Sequence, residues 1–321
     1  MDSASSILLA DIGGTNARFA ILEDGKLGCI ASAQVADFAS PEDALRAYLA
    51  KEGRGHAPKA AAIAAAGPVI EGKVALTNAS WTVDGASLRA ALRLRSAAIL
   101  NDFAALAWSL PALGADHVRA IGGGSPVAGA PTAVLGPGTG FGIAALLHDG
   151  GRESVLVSEG GHATLAGESR REDAVIDALR GVLGHLSLER VLSGDGLGRL
   201  YDAVAALDGI AAPKRTAAEI VARALSGGCI ASARALELFC AFLGSAAGNV
   251  ALTFGARGGV SIGGGMVPHF VEYLARSPFR ERFEAKGRMR GYLAAIPTSV
   301  IMHPHPAFLG LERFLNARGA R

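Results

Sequence analysis

The chain has 321 residues, half of them hydrophobic and 19% charged, a globular composition that excludes a disordered chain. A formal net charge of +2 announces neither a nucleic-acid-binding arm nor an acidic tail. The length allows two domains, since single cores usually stop growing at about 250–300 residues.

The chain begins with a strand, not a signal peptide: no positive charge precedes the apolar run, and Asp11 interrupts that run early. LLADIGGTNARFAIL (8–22) reads as a hairpin whose turn, GGT, is one that only glycine could make. IASAQVADF predicts a third strand. A helix opening at Pro41 places Ala44, Leu45, Tyr48 and Leu49 on one face. KAAAIAAAG is a buried strand, KVALTN a short one, and AAILN (97–101) another, reached after the helix SLRAALRLR. Hairpins followed by strand–helix alternation predict a mixed sheet with helices packed on it.

Beyond a Gly/Pro-rich stretch, GGGSPVAGAP, the same logic returns in TAVLGPGTGFGIAALL. Residues 171–183 are amphipathic, with Val175, Ala178, Leu179, Val182 and Leu183 forming the apolar stripe. Residues 231–255 predict a long, largely buried helix. GGVSIGGG is a further strand ending in glycines, followed by a helix from Pro268, the strand SVIM, the HPHP element and a last helix, AFLGLERFL. The most apolar internal run, AAAIAAAGPVI, is too short to span a bilayer, so no membrane contact is expected. The sequon at Asn78 is read as chance. Cys29, Cys229 and Cys240 lack CxxC spacing and read as reduced, buried thiols of a cytoplasmic protein.

Three loops compete for chemistry: DIGGTN (11–16), GPGTGFG (136–142) and IGGGM (262–266). No Gly-Lys-Ser/Thr triplet exists, and Phe141 stands where a dinucleotide motif needs its last glycine. What remains is physical. Glycine turns present successive backbone N–H groups as an anion nest, and Thr15 and Thr139 add hydroxyls. A carboxylate repels bare phosphate, so Asp11 fits beside such a loop only if a cation mediates. Mg²⁺ takes one or two carboxylates, usually through water, plus phosphate oxygens.

Groups suited to sugar hydroxyls, which both donate and accept, follow strands at Asn101, Asp102, Glu159 and His162, with Glu189 further on. Each has a plainer reading. Asn101 and Asp102 can cap the next helix, Glu159 can be surface charge, His162 a loop histidine, and Glu189 can pair with Arg190 or Arg93. His303 and His305, alternate residues broken by prolines, make a poor metal site. The segment RERFEAKGRMR (280–290) interleaves both signs and reads as a solvated face, not a nucleic-acid patch.

In order and spacing, DIGGTNARFA, NDFAALAWS (101–109), GPGTGFG, EGGH (159–162), ERVLSGDGL (189–197) and GGVSIGGGMVP resemble the bacterial glucokinase family over essentially the whole chain. That family belongs to the sugar-kinase, actin and heat-shock-chaperone ATPase superfamily. The resemblance implies an α/β fold of two ribonuclease-H-like domains, mixed sheets flanked by helices, with an active-site cleft between them. The small domain would be 1–109 plus about 304–321, the large one 110–303.

The resemblance further implies ATP-dependent phosphorylation of D-glucose to glucose 6-phosphate in glycolysis, by a cytoplasmic homodimer. Asn101, Asp102, Glu159, His162 and Glu189 match the family's glucose contacts, with Asp102 as catalytic base. Ala10, Asp11, Ile12, Gly13, Gly14 and Thr15 would meet the terminal phosphates, Asp11 holding Mg²⁺ through water. Gly136, Gly138, Thr139 and Gly140 would form the second phosphate loop, and Gly263, Gly264 and Gly265 would border the adenosine. Trp81 matches a family loop beside the sugar, or is a packing residue. No zinc is expected, because no cysteine cluster follows His162, unlike the related repressor-and-kinase sugar family. The alternatives are a kinase of different hexose specificity and a non-catalytic sugar-sensing regulator.

Overall fold

The computed structural model describes residues 6–52, 57–76 and 79–319; Asn78 lies outside them. In chain order the elements are β1 (Ile7–Ile12), β2 (Asn16–Glu23), β3 (Lys26–Leu27), β4 (Ala31–Gln34), α1 (Pro41–Lys51), β5 (Ala60–Ala65), β6 (Lys73–Ala75), β7 (Thr82–Asp84), α2 (Gly85–Leu92), β8 (Ser96–Asn101) and α3 (Asp102–Ser109). Then come β9 (Val118–Gly122), β10 (Thr132–Pro137), β11 (Phe141–Asp149), β12 (Arg152–Ser158), α4 (Arg170–Leu183), α5 (Leu188–Val191), α6 (Gly194–Leu207), α7 (Ala217–Leu225) and α8 (Ile230–Phe254). The chain ends with β13 (Gly259–Ile262), α9 (Val271–Arg276), α10 (Phe279–Glu284), α11 (Arg290–Ala294), β14 (Thr298–Ile301) and α12 (Pro306–Ala317). They divide into two compact units, Met1–Leu113 with Pro304–Arg321, and Gly114–His303.

In the first unit the sheet order is β3-β2-β1-β5-β8, with β4 also on β2. The first three strands are antiparallel, while β5 and β8 run parallel to β1 on its other side. Parallel neighbours need crossover helices, and α1 and α2 supply them. Leu8, Ala10 and Ile12 of β1 join Leu45, Ile63, Val83 and Leu88 in one core. Leu9 alternates to the opposite face, against which α3 and α12 pack. The helix face expected from Pro41 is present: Ala44, Leu45 and Tyr48 are buried and Leu49 partly so. The predicted third strand is shorter than its pattern, ending at Gln34 where Val35–Asp37 turn into a 3-10 helix.

The second unit repeats the plan. Its order is β12-β11-β10-β13-β14-β9, again an antiparallel trio with two parallel strands, β13 and β14, beyond β10, and with β9 added antiparallel at the edge. Each unit is thus a ribonuclease-H-like sheet flanked by helices. By length and composition α8 could cross a membrane, but it is the buried central helix of this unit, between the sheet and α6, α7 and α10.

Four readings of the sequence are corrected. The buried face of α4 is Glu172, Val175, Ile176 and Leu179; Ala178 is exposed and Val182 is 84% exposed. The helix is rotated because Glu172 turns inward, where Arg282 donates to it through both terminal nitrogens. For the same reason residues 280–290 are not simply a solvated face. Arg282 lies at 14% side-chain exposure, and Arg280 donates to the carbonyls of Leu293, Ala294 and Ile296. Of the three free thiols only Cys240 is buried; Cys29 is exposed and Cys229 half-buried. The helix expected from Pro268 starts as a 3-10 turn, Val267–Phe270, before α9.

Candidate active site

In the first unit the GGT turn closes at the end of β1, with the Gly13 N–H donating to the Asn16 carbonyl at 2.9 Å. Neither Gly13 nor Gly14 adopts left-handed backbone, and a Cβ on Gly13 would meet only ordinary contact. A positive φ therefore does not demand glycine at either position, and at Gly13 space does not demand it either. Thr15 stands exposed at the tip, while Ala10 and Ile12 are wholly buried with their side chains in the core. Their ladder pairing leaves backbone atoms alone as possible contacts.

Asp11 is half-buried and directly opposite Arg18 in the β1–β2 register, with Arg18 Nη1 3.4 Å from its carboxylate. Burial raises the Asp11 pKa, against the pull of the Arg18 guanidinium. His305 neighbours this pair; burial lowers its pKa first, and Arg18 adds to that. The two histidines of HPHP part company, for His303 packs edge-on against His117 at 4.5 Å.

Asn101 caps α3, accepting from the Ala104 N–H at 3.1 Å, and its Nδ2 donates to the Gly67 carbonyl at 3.0 Å. The plainer reading of Asn101 is thus true, and the amide retains one N–H and spare acceptor capacity. Asp102 opens the helix, and its Oδ1 accepts from the Phe103 N–H at 2.9 Å. Trp81 is a packing residue, 2% exposed, with its indole N–H on the Phe38 carbonyl at 3.1 Å.

In the second unit the sequence-predicted residues come together. Glu159 and His162 flank the 3-10 turn Gly160–His162, with Glu159 Oε2 3.8 Å from His162 Nε2. Gly161 lets this turn lie against β11, since a Cβ there would stand 2.0 Å from the Phe141 carbonyl oxygen. Glu189 projects from α5, which Ser187 caps at the Arg190 N–H. Glu189 Oε1 lies 4.0 Å from His162 Nδ1, and Oε2 accepts from the Phe141 N–H at 3.0 Å. The sequence reading missed this tie between the sugar-type residues and the second glycine loop. Nothing in the spacing of residues 141 and 189 signals it.

The second and third glycine loops meet through their backbones. A Cβ on Gly136 would stand 2.0 Å from the Gly263 carbonyl oxygen, and one on Gly264, at φ +88°, 2.2 Å from that of Pro137. The tight turn is closed by the Gly138 N–H on the Gly140 carbonyl at 2.8 Å, leaving Thr139 exposed at its tip. The Gly194 N–H, first in α6, donates to the Gly138 carbonyl at 3.1 Å. Gly265 is exposed beside the loop.

Among the described residues no group of three or more His, Cys, Asp or Glu could hold a metal. The donor set suits a cation held by one carboxylate, waters and a phosphate-bearing substrate, as Mg²⁺ is held. A poorly solvated Asp11 carboxylate gains from such a partner.

The chain is similar to glucokinases throughout. A glucokinase family profile matches residues 8–318. The glucokinase of Paramagnetospirillum magneticum is 47% identical over 307 residues, covering 95% of this chain and 96% of the relative. That of Caulobacter vibrioides is 43% identical over 318 residues, covering 97% and 96%. The crystal structure of glucokinase from an Antarctic psychrotroph superposes with a TM-score of 0.86 at 38% identity, covering 98% and 99%. A ROK family glucokinase from Streptomyces griseus, in complex with glucose and AMPPNP, shares the fold with a TM-score of 0.67 at 20% identity, covering 97% and 99%. With the family profile spanning nearly the whole chain and its motifs lying at the ends of matching strands in two like-folded units, this protein belongs to the glucokinase family.

Proposed function

We propose that this protein is a glucokinase that transfers the γ-phosphoryl group of ATP to O6 of D-glucose, the entry step of glycolysis. Family membership supports the reaction. One arrangement carries the reading to this chain's residues. Glu189 holds the Phe141 amide of a glycine loop and faces His162, which in turn neighbours Glu159, so groups suited to sugar hydroxyls border groups suited to phosphate oxygens.

Asn101, Asp102, Glu159, His162 and Glu189 bind and orient the sugar. Asp102 accepts the O6 proton as O6 attacks phosphorus in line, the new O6–P bond forming while the bond to the bridging β,γ-oxygen breaks and ADP leaves. Amides of Gly14 and Thr15 and of Thr139 and Gly140, in turns closed by the Gly13 and Gly138 N–H groups, steady the phosphate oxygens with the Thr15 and Thr139 hydroxyls. Gly263–Gly265 border the adenosine. Asp11 would hold Mg²⁺ through water; when bound, that ion neutralises charge on the β- and γ-phosphates. Zinc has no part, there being no cysteine cluster after His162. The same family reading makes the enzyme a cytoplasmic homodimer.

A coupled assay over a panel of hexoses and phosphate donors tests the proposal. Glucose with ATP should give the highest kcat/KM. Preference for another hexose would replace the substrate assignment, and sugar binding without turnover would make the chain a sensor.

A further inference from the structure

Glu189 is placed to do more than bind sugar. Its backbone belongs to the sugar-side element: the Leu188 N–H donates to the Ala163 carbonyl at 2.9 Å, joining α5 to the segment that carries Glu159 and His162. Its side chain reaches across to the other element. Oε2 accepts the Phe141 N–H at 3.0 Å, and a Cβ on Gly140 would stand only 2.4 Å from that oxygen. The carboxylate therefore lies in contact with the turn Gly138–Gly140, while Oε1 faces His162 at 4.0 Å. The Phe141 amide is occupied by Glu189, so the carboxylate acts there on loop position, not as a competitor for every donor of the turn.

We propose that Glu189 is a positioning residue that couples sugar binding to nucleotide binding within this unit, one oxygen engaging the sugar while the other holds the phosphate loop. This rests on the glucokinase reading above. A carboxylate is rigid, so a sugar hydroxyl donating to Oε1 restricts both side-chain rotation and the Oε2 contact to the loop. A nucleotide arriving afterwards meets a loop already ordered and loses less conformational freedom, which is positive coupling without any large movement. By linkage the effect is reciprocal.

The test is calorimetric titration of the full chain with AMPPNP, with and without saturating glucose, and the converse titration. In the wild type each ligand should tighten the other by about 5-fold or more. Gly140→Ala is the informative variant. Its Cβ displaces only the flexible end of the Glu189 side chain, and Gly140 does not use left-handed backbone, so the chain should fold. In it the coupling factor should fall to about 1, whatever happens to the separate affinities. Glu189→Gln retains a carbonyl oxygen for the Phe141 amide but sets an NH2, which cannot accept, where Oε1 takes the sugar hydroxyl, so glucose should bind less tightly and the coupling factor should fall as well. A merely structural role for Gly140 or Glu189 would change both affinities and leave their ratio alone. Glucose bound and phosphorylated with an unchanged factor in Gly140→Ala, or no coupling in the wild type, overturns the inference alone. A wild-type chain that neither binds nor phosphorylates glucose overturns the functional reading, and this inference with it.

Discussion

Asn101 donates through Nδ2 to the Gly67 carbonyl at 3.0 Å, fastening the loop after β5 to the start of α3. The same side chain caps α3 at the Ala104 N–H. Asn101→Ala removes both bonds. Loss of the cap costs about 1 kcal/mol, and the melting temperature should fall by about 2–4 °C. The KM for glucose should rise as well, because the residue also belongs to the proposed sugar contacts. Differential scanning calorimetry and steady-state kinetics check the two effects separately.

Asp102→Asn should separate binding from chemistry. Asparagine keeps an oxygen for the Phe103 N–H, which Asp102 accepts at 2.9 Å, so the first turn of α3 should survive. It cannot take a proton from O6 at neutral pH. A general base contributes about 10²–10⁴-fold, so kcat should drop on that scale while the glucose dissociation constant changes less. Near-normal kcat in a folded variant would remove Asp102 from the role of base.

The buried ion pair of Glu172 and Arg282 should be costly to break on one side. Glu172 has 4% side-chain exposure and Arg282 14%, and Ser245 and Glu168 complete the network. Glu172→Ala should destabilise the fold by about 3 kcal/mol, the low end for a broken buried pair, because Glu168 still faces the guanidinium. Replacing both residues by methionine should cost less than that single change, since no charge is left buried. Urea unfolding of the three proteins gives the comparison.

Cys229 should be the most readily ionised thiol whose environment is perturbed. Its pKa is lowered to about 7, first by hydrogen bonding with Ser232 and then by Arg215, whereas burial pushes Cys240 up to about 12. The thiolate is the nucleophile, so lowering the pKa raises the reactive fraction at neutral pH. Iodoacetamide labelling of Cys229, followed by peptide mass spectrometry, should climb with a midpoint near pH 7, and Cys240 should stay unlabelled in the folded chain. Ser232→Ala should move the Cys229 midpoint upward.

The sequence by itself determined the strands, turns and most helices, because these follow from local periodicity. The apolar run of ILLADI, interrupted by Asp11, and the spacing of Ala44, Leu45 and Tyr48 are visible within a few residues, and both sit in the structure as expected. Six ordered motifs were likewise enough to identify the family. Only the tertiary structure decided which way α4 faces, since a buried charge overrode the apolar stripe and its partner Arg282 is 110 residues away. It also showed that the Gly13–Gly14 turn needs no left-handed residue and that Asp11 already faces Arg18. The grip of Glu189 on Phe141 spans 48 residues. Periodicity reports only what lies one turn or one pleat away, while a hydrogen bond between distant segments exists only once packing has brought a carboxylate to an amide.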